Sequence, residues 1–250
     1  MDATPLFEAR NLHKRFGDQV VLEKIDLAFA EGQISGIMGP NGAGKTTCFN
    51  VLTGRYKPNR GNVFFDGEDI TGLPPRVIAH KGVSRSFQTI NLFDEYTTLE
   101  NVLIAVPQVR ERGFNMFRNI EDDSTAMENA YRVLEKVGLR DKAHEQSDQL
   151  SYGDRRALEI ALALASEPRI LFLDEPTSGM GTEATAHLAE LILELKHSYT
   201  IVVIEHDMRF LFRLADRISV IHWGQVIASG TPEELQANKW VRASNLGKLV

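Results

Sequence analysis

The chain alternates between two kinds of apolar patterning. Short runs rich in β-branched and aromatic residues recur at 20–29 (VVLEKIDLAF), 33–38 (QISGIM), 62–67 (NVFFDG), 169–174 (RILFLD), 200–205 (TIVVIE) and 218–223 (ISVIHW), and each predicts a strand. Between several of them the period becomes helical. Leu158, Ala161, Leu162 and Ala165 fall at i, i+3, i+4 and i+7, as do Leu188, Leu191, Ile192 and Leu195. Apolar strands followed by amphipathic helices argue for an α/β fold around a mostly parallel sheet buried on both faces. The early stretch is strand-rich without intervening helices, which predicts a small antiparallel sheet joined to that core.

Residues 89–164 read differently, with helical segments around 99–110 and 124–137 and a polar link from Arg110 to Ser124. The domain reading is therefore an α/β core made of 1–88 and 165–250, interrupted by a helical subdomain at 89–164. In the tail, Thr231 has the position of an N-cap, Pro232 of the first helical residue, and Glu234 of the third, which completes a capping box.

Composition changes this picture little. Across 250 residues, 43% hydrophobic and 25% charged content is ordinary for a globular protein. A net charge of −6 gives no general reason to expect nucleic acid as a partner. Cys48 is the single cysteine, so a disulfide framework is excluded. The N-terminus lacks the apolar core of a signal peptide, and no window approaches the roughly 18 apolar residues of a membrane span. The expected location is cytoplasmic, with any membrane role exercised by docking on another protein.

The chemistry concentrates at strand ends. GPNGAGKTT, formed by Gly39, Pro40, Asn41, Gly42, Ala43, Gly44, Lys45, Thr46 and Thr47, fits G-x-x-x-x-G-K-S/T directly after a strand and before a helical stretch. Glycines let such a loop curl so that its N–H groups converge on phosphate oxygens, and the helix N-terminus adds a favourable dipole. Lys45 would reach the β- and γ-phosphates, and Thr46 would offer its hydroxyl to Mg²⁺. A mere glycine turn would not need the Lys-Thr pair. ILFLDEP then delivers Asp174 and Glu175 at the carboxyl end of a buried strand, where ligands of open α/β sheets sit. Asp174 would hold Mg²⁺ and Glu175 would polarise an attacking water. VIEHD ends the next strand with His206, which a parallel order would bring to the same edge. Gln88 follows the strand-like GVSRSF and precedes the helical insertion. In LSYGDRRALEIA, Ser151 can cap a helix with Asp154 three residues on.

Taken together, these pieces resemble an ABC-transporter ATPase over nearly the whole chain: phosphate loop at 39–47, glutamine loop at 88, signature at 150–154, acid pair at 174–175 and switch histidine at 206. The resemblance implies that Ser151 and the N–H of Gly153 face ATP held by a second ATPase subunit, that Phe16 stacks on adenine, and that Gln88 links the γ-phosphate and Mg²⁺ to the insertion. The lesser alternative for Phe16 is an ordinary core phenylalanine. Within the family, LSYG with RRALEIALALA, SFQTINLF, SGMG, VIEHDM and the GTPEELQANKWVRASNLG tail look like the larger ATPase type of branched-chain amino acid importers. That likeness implies a pair of ATPases, like or unlike, beneath transmembrane permease subunits on the inner face of the membrane and fed by an external solute-binding protein.

Two positions depart from the family pattern. Asp154 replaces the usual Gln or Glu after the signature glycine, and Gly181 stands where the following loop usually carries Asp. Neither removes Lys45, Asp174, Glu175 or His206, and an active ATPase is expected. A lipopolysaccharide-type exporter has a similar tail and phosphate loop. A soluble ABC ATPase of DNA repair would need a coiled coil that 89–164 is too short to hold, and one of translation would carry two cassettes. A phosphate-loop kinase would leave the signature stretch and His206 unexplained.

Overall fold

The computed structural model describes residues 4–86, 91–107, 123–238 and 241. In chain order its elements begin with β1 (Phe7–Phe16), β2 (Gln19–Phe29), β3 (Ile34–Met38), α1 (Lys45–Leu52), β4 (Arg60–Phe65), β5 (Glu68–Asp69), α2 (Pro75–His80) and β6 (Val83–Arg85). Three helices follow: α3 (Thr98–Ala105), α4 (Ser124–Lys136) and α5 (Tyr152–Leu164). Then come β7 (Ile170–Asp174), α6 (Thr182–Leu195), β8 (Thr200–Glu205), α7 (Met208–Leu214), β9 (Arg217–His222), β10 (Gln225–Gly230) and α8 (Pro232–Ala237).

The strands form two sheets. One is antiparallel, in the order β2-β1-β4-β5; the other runs β10-β9-β3-β8-β7-β6, parallel throughout except for the antiparallel edge strand β10. The α/β expectation, parallel core with a small antiparallel sheet, is what the chain adopts.

Because side chains alternate across a strand, each central strand feeds two cores. Leu171, Leu173, Ile201 and Val203 join the cluster that includes Val102, Leu134, Leu158 and Ile192 on α3 to α6. Ile170, Phe172, Val202 and Ile204 point the other way, onto α1 and the antiparallel sheet. Both faces are covered, so these strands read as continuous apolar runs.

Phe172 forms the seam between the sheets. It is fully buried, with ring centroids of Phe7, Phe29 and Phe49 at 5.1, 6.0 and 6.0 Å. Edge-on contacts of this kind add to the area they bury.

β6 and β7 are neighbours in the sheet, yet the chain between them carries α3, α4 and α5. Those three helices lie at 98–105, 124–136 and 152–164, and α8 starts with Thr231, Pro232 and the Glu234 capping box. β1, β10 and α2 are not apparent from the sequence pattern. In β1 the alternation Phe7, Ala9 breaks before Leu12, where Asn11 takes a φ of 50° and the register shifts. β10 is an edge strand whose residues are only partly covered, so it has no apolar signature.

Truncation at the seam is expected to be costly. Phe172→Ala should lower the unfolding free energy by about 3–5 kcal/mol, measured by urea denaturation. A loss within the ordinary range of a surface substitution would mean that the sheets are held together elsewhere.

Candidate nucleotide site

Strand register brings the motifs to one edge. Met38 of β3 lies opposite Glu205 of β8, and Asp174 of β7 lies opposite Ile204. The loop after β3, the pair Glu205–His206 and the pair Asp174–Glu175 therefore start at the same level, at the carboxyl ends of three adjacent strands.

The loop between β3 and α1 turns through Gly42 and Gly44, with φ of 80° and 100°. Side chains rarely adopt that left-handed region. Gly44 is also the N-cap of α1 and supplies no side-chain cap, so the first-turn N–H groups are available to a phosphate. At Gly39 an added Cβ would lie 2.2 Å from the carbonyl oxygen of Ile221 on β9. Lys45 is buried, and its Nζ donates to the loop's own carbonyls at Gly39 (2.8 Å) and Pro40 (3.1 Å). Burial draws its pKa below the ordinary lysine value, while Glu175, Glu205 and Asp174 pull the other way.

Asp174 is 3% exposed, and among the described residues its Oδ1 has no hydrogen-bond partner. Burial first, then the neighbouring Glu175, raises its pKa to about 6, against the opposing pull of Arg85 and Lys45; Glu205 adds to the rise. A buried acid oxygen lacking a donor is the kind of site a cation completes. Glu175 has a φ of 44°, a region that costs a non-glycine residue about 1–3 kcal/mol. Its backbone is held there: the N–H donates to Ile204 O (2.8 Å), and the carbonyl accepts from Arg156 Nη2 (3.0 Å). Arg156, on α5, is fully buried, donates through Nε to Pro176 O (2.9 Å) and pairs with Glu159. His206 reaches the same edge, its Nδ1 3.8 Å from Glu175 Oε1 and 3.6 Å from Glu205 Oε2.

Glu205 escapes notice in the sequence. Fully buried, it accepts from the N–H and hydroxyl of Thr177 (3.0 and 2.5 Å) through Oε1 and from the N–H of His206 (3.1 Å) through Oε2. The signal available was a carboxylate closing the otherwise apolar run TIVVIE, which can be buried only with partners.

Ser151 caps α5, accepting from Asp154 N (3.1 Å), as its spacing predicts. Asp154 also takes the Ser151 hydroxyl and Lys142 Nζ, both at 2.6 Å. Burial pulls its pKa upward, but those donors outweigh it and hold the carboxyl below its ordinary range. The charge that departs from the family pattern is therefore paired within the chain. Gly181, the second departure, is the N-cap of α6, and an added Cβ there would meet nothing within 4 Å. No steric demand explains its glycine. Phe16 is 45% exposed, which sets aside a core role; its ring meets Tyr56 edge-on at 5.3 Å with Lys14 Nζ 4.9 Å from its centroid. Signature and Phe16 both lie outside the strand-edge cluster, and Gln88 lies outside the described residues.

A glycine loop, its buried lysine and an acid pair at adjacent ends of a parallel sheet define a phosphate-loop nucleotide-binding protein. Residues 22–178 match the ABC transporter family profile, and the chain belongs to that family. It is 42% identical over 253 residues to the high-affinity branched-chain amino acid transport ATP-binding protein LivG of Salmonella typhimurium, covering 98% of each chain. BraF of Pseudomonas aeruginosa, which bears the same description, is 41% identical with the same coverage. The crystal structure of the ADP conformation of an ATP-binding cassette of an ABC transporter superposes with a TM-score of 0.87 at 29% identity, covering 98% of this chain and 99% of that one. A dimeric bacterial ABC transporter cassette matches with a TM-score of 0.74 at 26% identity, covering 90% and 98%.

The raised pKa of Asp174 has a measurable consequence. Because the folded state binds this proton more tightly, the associated stability is fully present below about pH 4 and is lost as pH rises through about 6, an effect on the order of 3 kcal/mol at most. Asp174→Asn removes the titration. The variant should melt above the parent near pH 8, with the gap closing as pH falls toward about 4 in thermal scans of the nucleotide-free protein. A gap independent of pH would contradict the assignment of this carboxyl.

Proposed function

We propose that the chain is the ATP-hydrolysing subunit of an ABC importer for branched-chain amino acids or a related small polar solute. The supporting observation is the convergence of Lys45, Asp174, Glu175 and His206 on one sheet edge, in a chain that resembles LivG nearly end to end. These relatives do not favour the exporter or soluble alternatives.

In this reading the phosphates lie in the loop from Gly39 to Thr47, with Lys45 on the β- and γ-oxygens and adenine on Phe16. Thr46, Asp174 and Gln88 are the residues that would hold Mg²⁺, and the Oδ1 of Asp174, without a hydrogen-bond partner among the described residues, fits that duty. Bound there, Mg²⁺ supplies charge neutralisation on the phosphate oxygens. Glu175, directly after the strand end, takes the proton of the attacking water. His206, placed by Glu205, donates toward the γ-phosphate. Ser151 and the N–H of Gly153 close on the ATP of a second ATPase subunit, like or unlike.

The cargo never touches this chain: transmembrane permease subunits carry it and an external binding protein selects it. Among the described residues no helix is long and apolar enough to cross a membrane, which is consistent with a cytoplasmic subunit peripheral to the inner face. The helical subdomain at 89–164 is the docking element, and Phe93 and Tyr96 present exposed rings there.

Glu175→Gln should keep ATP affinity and lose hydrolysis by about 10²–10⁴-fold in the assembled complex, trapping an ATP-bound pair. Ordinary turnover by that variant would remove Glu175 as the base. Charge placed on the docking surface, in Phe93→Asp with Tyr96→Asp, should abolish transport while the isolated subunit binds ATP as before. Unimpaired uptake by reconstituted vesicles would count against docking at this surface.

A further inference from the structure

The signature turn carries a tyrosine whose partner lies in another loop. The Tyr152 hydroxyl donates to the carbonyl of Ser178 at 2.8 Å. Its ring lies over Gly179, where an added Cβ would come within 2.9 Å of the hydroxyl oxygen and 3.3 Å of Cζ, at a φ of +78°. Two independent features thus fit the loop to the tyrosine: an aimed carbonyl and a residue with no side chain. Tyr152 is 47% exposed, so it is not held in place by burial in a core.

The loop it grips begins at the acid pair. Ser178 N donates to Glu175 O (3.1 Å) and Met180 N to Thr177 O (3.0 Å), while Thr177 is pinned on Glu205. A displacement of Ser178 is therefore passed by one hydrogen bond to the strained peptide of Glu175. At the other end, Tyr152 directly follows Ser151, the cap of α5.

We propose that Tyr152 is a positioning residue that couples the two nucleotide sites of the assembled ATPase pair. It ties the signature turn, which faces the partner's ATP, to the loop behind the chain's own general base. Closure on one ATP then sets the Glu175 backbone at the other. Gly181 leaves that loop without its usual acidic side chain, whereas the tyrosine reaches it at Ser178. This inference rests on the paired-ATPase reading above.

The test is Tyr152→Phe in the assembled transporter, beside the parent and Glu175→Gln, with ATP titrations of hydrolysis, binding of a fluorescent ATP analogue and thermal melting. The parent should hydrolyse ATP cooperatively. Tyr152→Phe should match it in melting temperature and ATP affinity, yet lose roughly 3- to 10-fold in saturating rate, the equivalent of one hydrogen bond, with its Hill coefficient falling toward one. Tyr152→Leu, which also removes the ring from Gly179, should lose at least as much. If Tyr152→Phe retains the parent's rate and cooperativity while Glu175→Gln is inactive, the coupling is wrong and the ATPase reading stands. A fall in rate with unchanged cooperativity, or one matched by a lower melting temperature, also overturns it in favour of a structural role. A parent complex that does not hydrolyse ATP overturns the functional reading and the coupling together.

Discussion

The structure depends on three parallel strands ending at one level. With Met38, Glu205 and Asp174 brought to adjacent ladder ends by register, the loops that follow them share a single edge. A slip of one residue in any strand would exchange its two faces, and each face is already committed to a different core. Ile170 and Phe172 could not exchange places with Leu171 and Leu173 without moving an aromatic seam into a helical interface. Packing far from the site thus holds the register that makes the site.

That edge gathers opposed charges, several of them buried. Lys45, Asp174 and Glu205 are all buried, Glu175 stands beside them, and Arg85 contributes from β6. Backbone and side-chain donors from Thr177 and His206 hold both oxygens of Glu205 in place. Among the described residues the Oδ1 of Asp174 has no donor, and burial, then the neighbouring Glu175, raises its pKa. One acid is thus held by several donors, while the next has an oxygen that meets none among the described residues. Arg156 adds the mechanical counterpart: from the signature helix it holds the carbonyls of Glu175 and Pro176 and so maintains an unfavourable backbone angle.

The signature stretch unites a structural and a functional demand. Ser151 caps its helix, yet its hydroxyl proton is directed to Asp154, whose charge Lys142 balances. An acid at a helix start is favourable to the dipole, and Lys142 offsets its charge within the chain. The residue that departs from the family pattern finds its partners in Ser151 and Lys142.

Much of this was legible in the sequence. The runs at 33–38, 169–174 and 200–205, the glycine loop, the acid pair, and the Ser151 and Thr231 caps rest on local periodicity, local turn geometry or short-range hydrogen bonds, which a sequence displays directly. Their meeting at one edge followed from parallel order. What only the tertiary structure decided involves partners distant along the chain. Glu205 with Thr177, Arg156 with Pro176, Tyr152 with Ser178 and Lys142 with Asp154 join groups whose spacing carries no period. β1 and β10 likewise take their form from neighbouring strands, since a bulge and an open edge erase their alternation. A buried polar group must find a partner, but the chain does not announce which one, because that choice is made by the approach of surfaces that packing alone brings together.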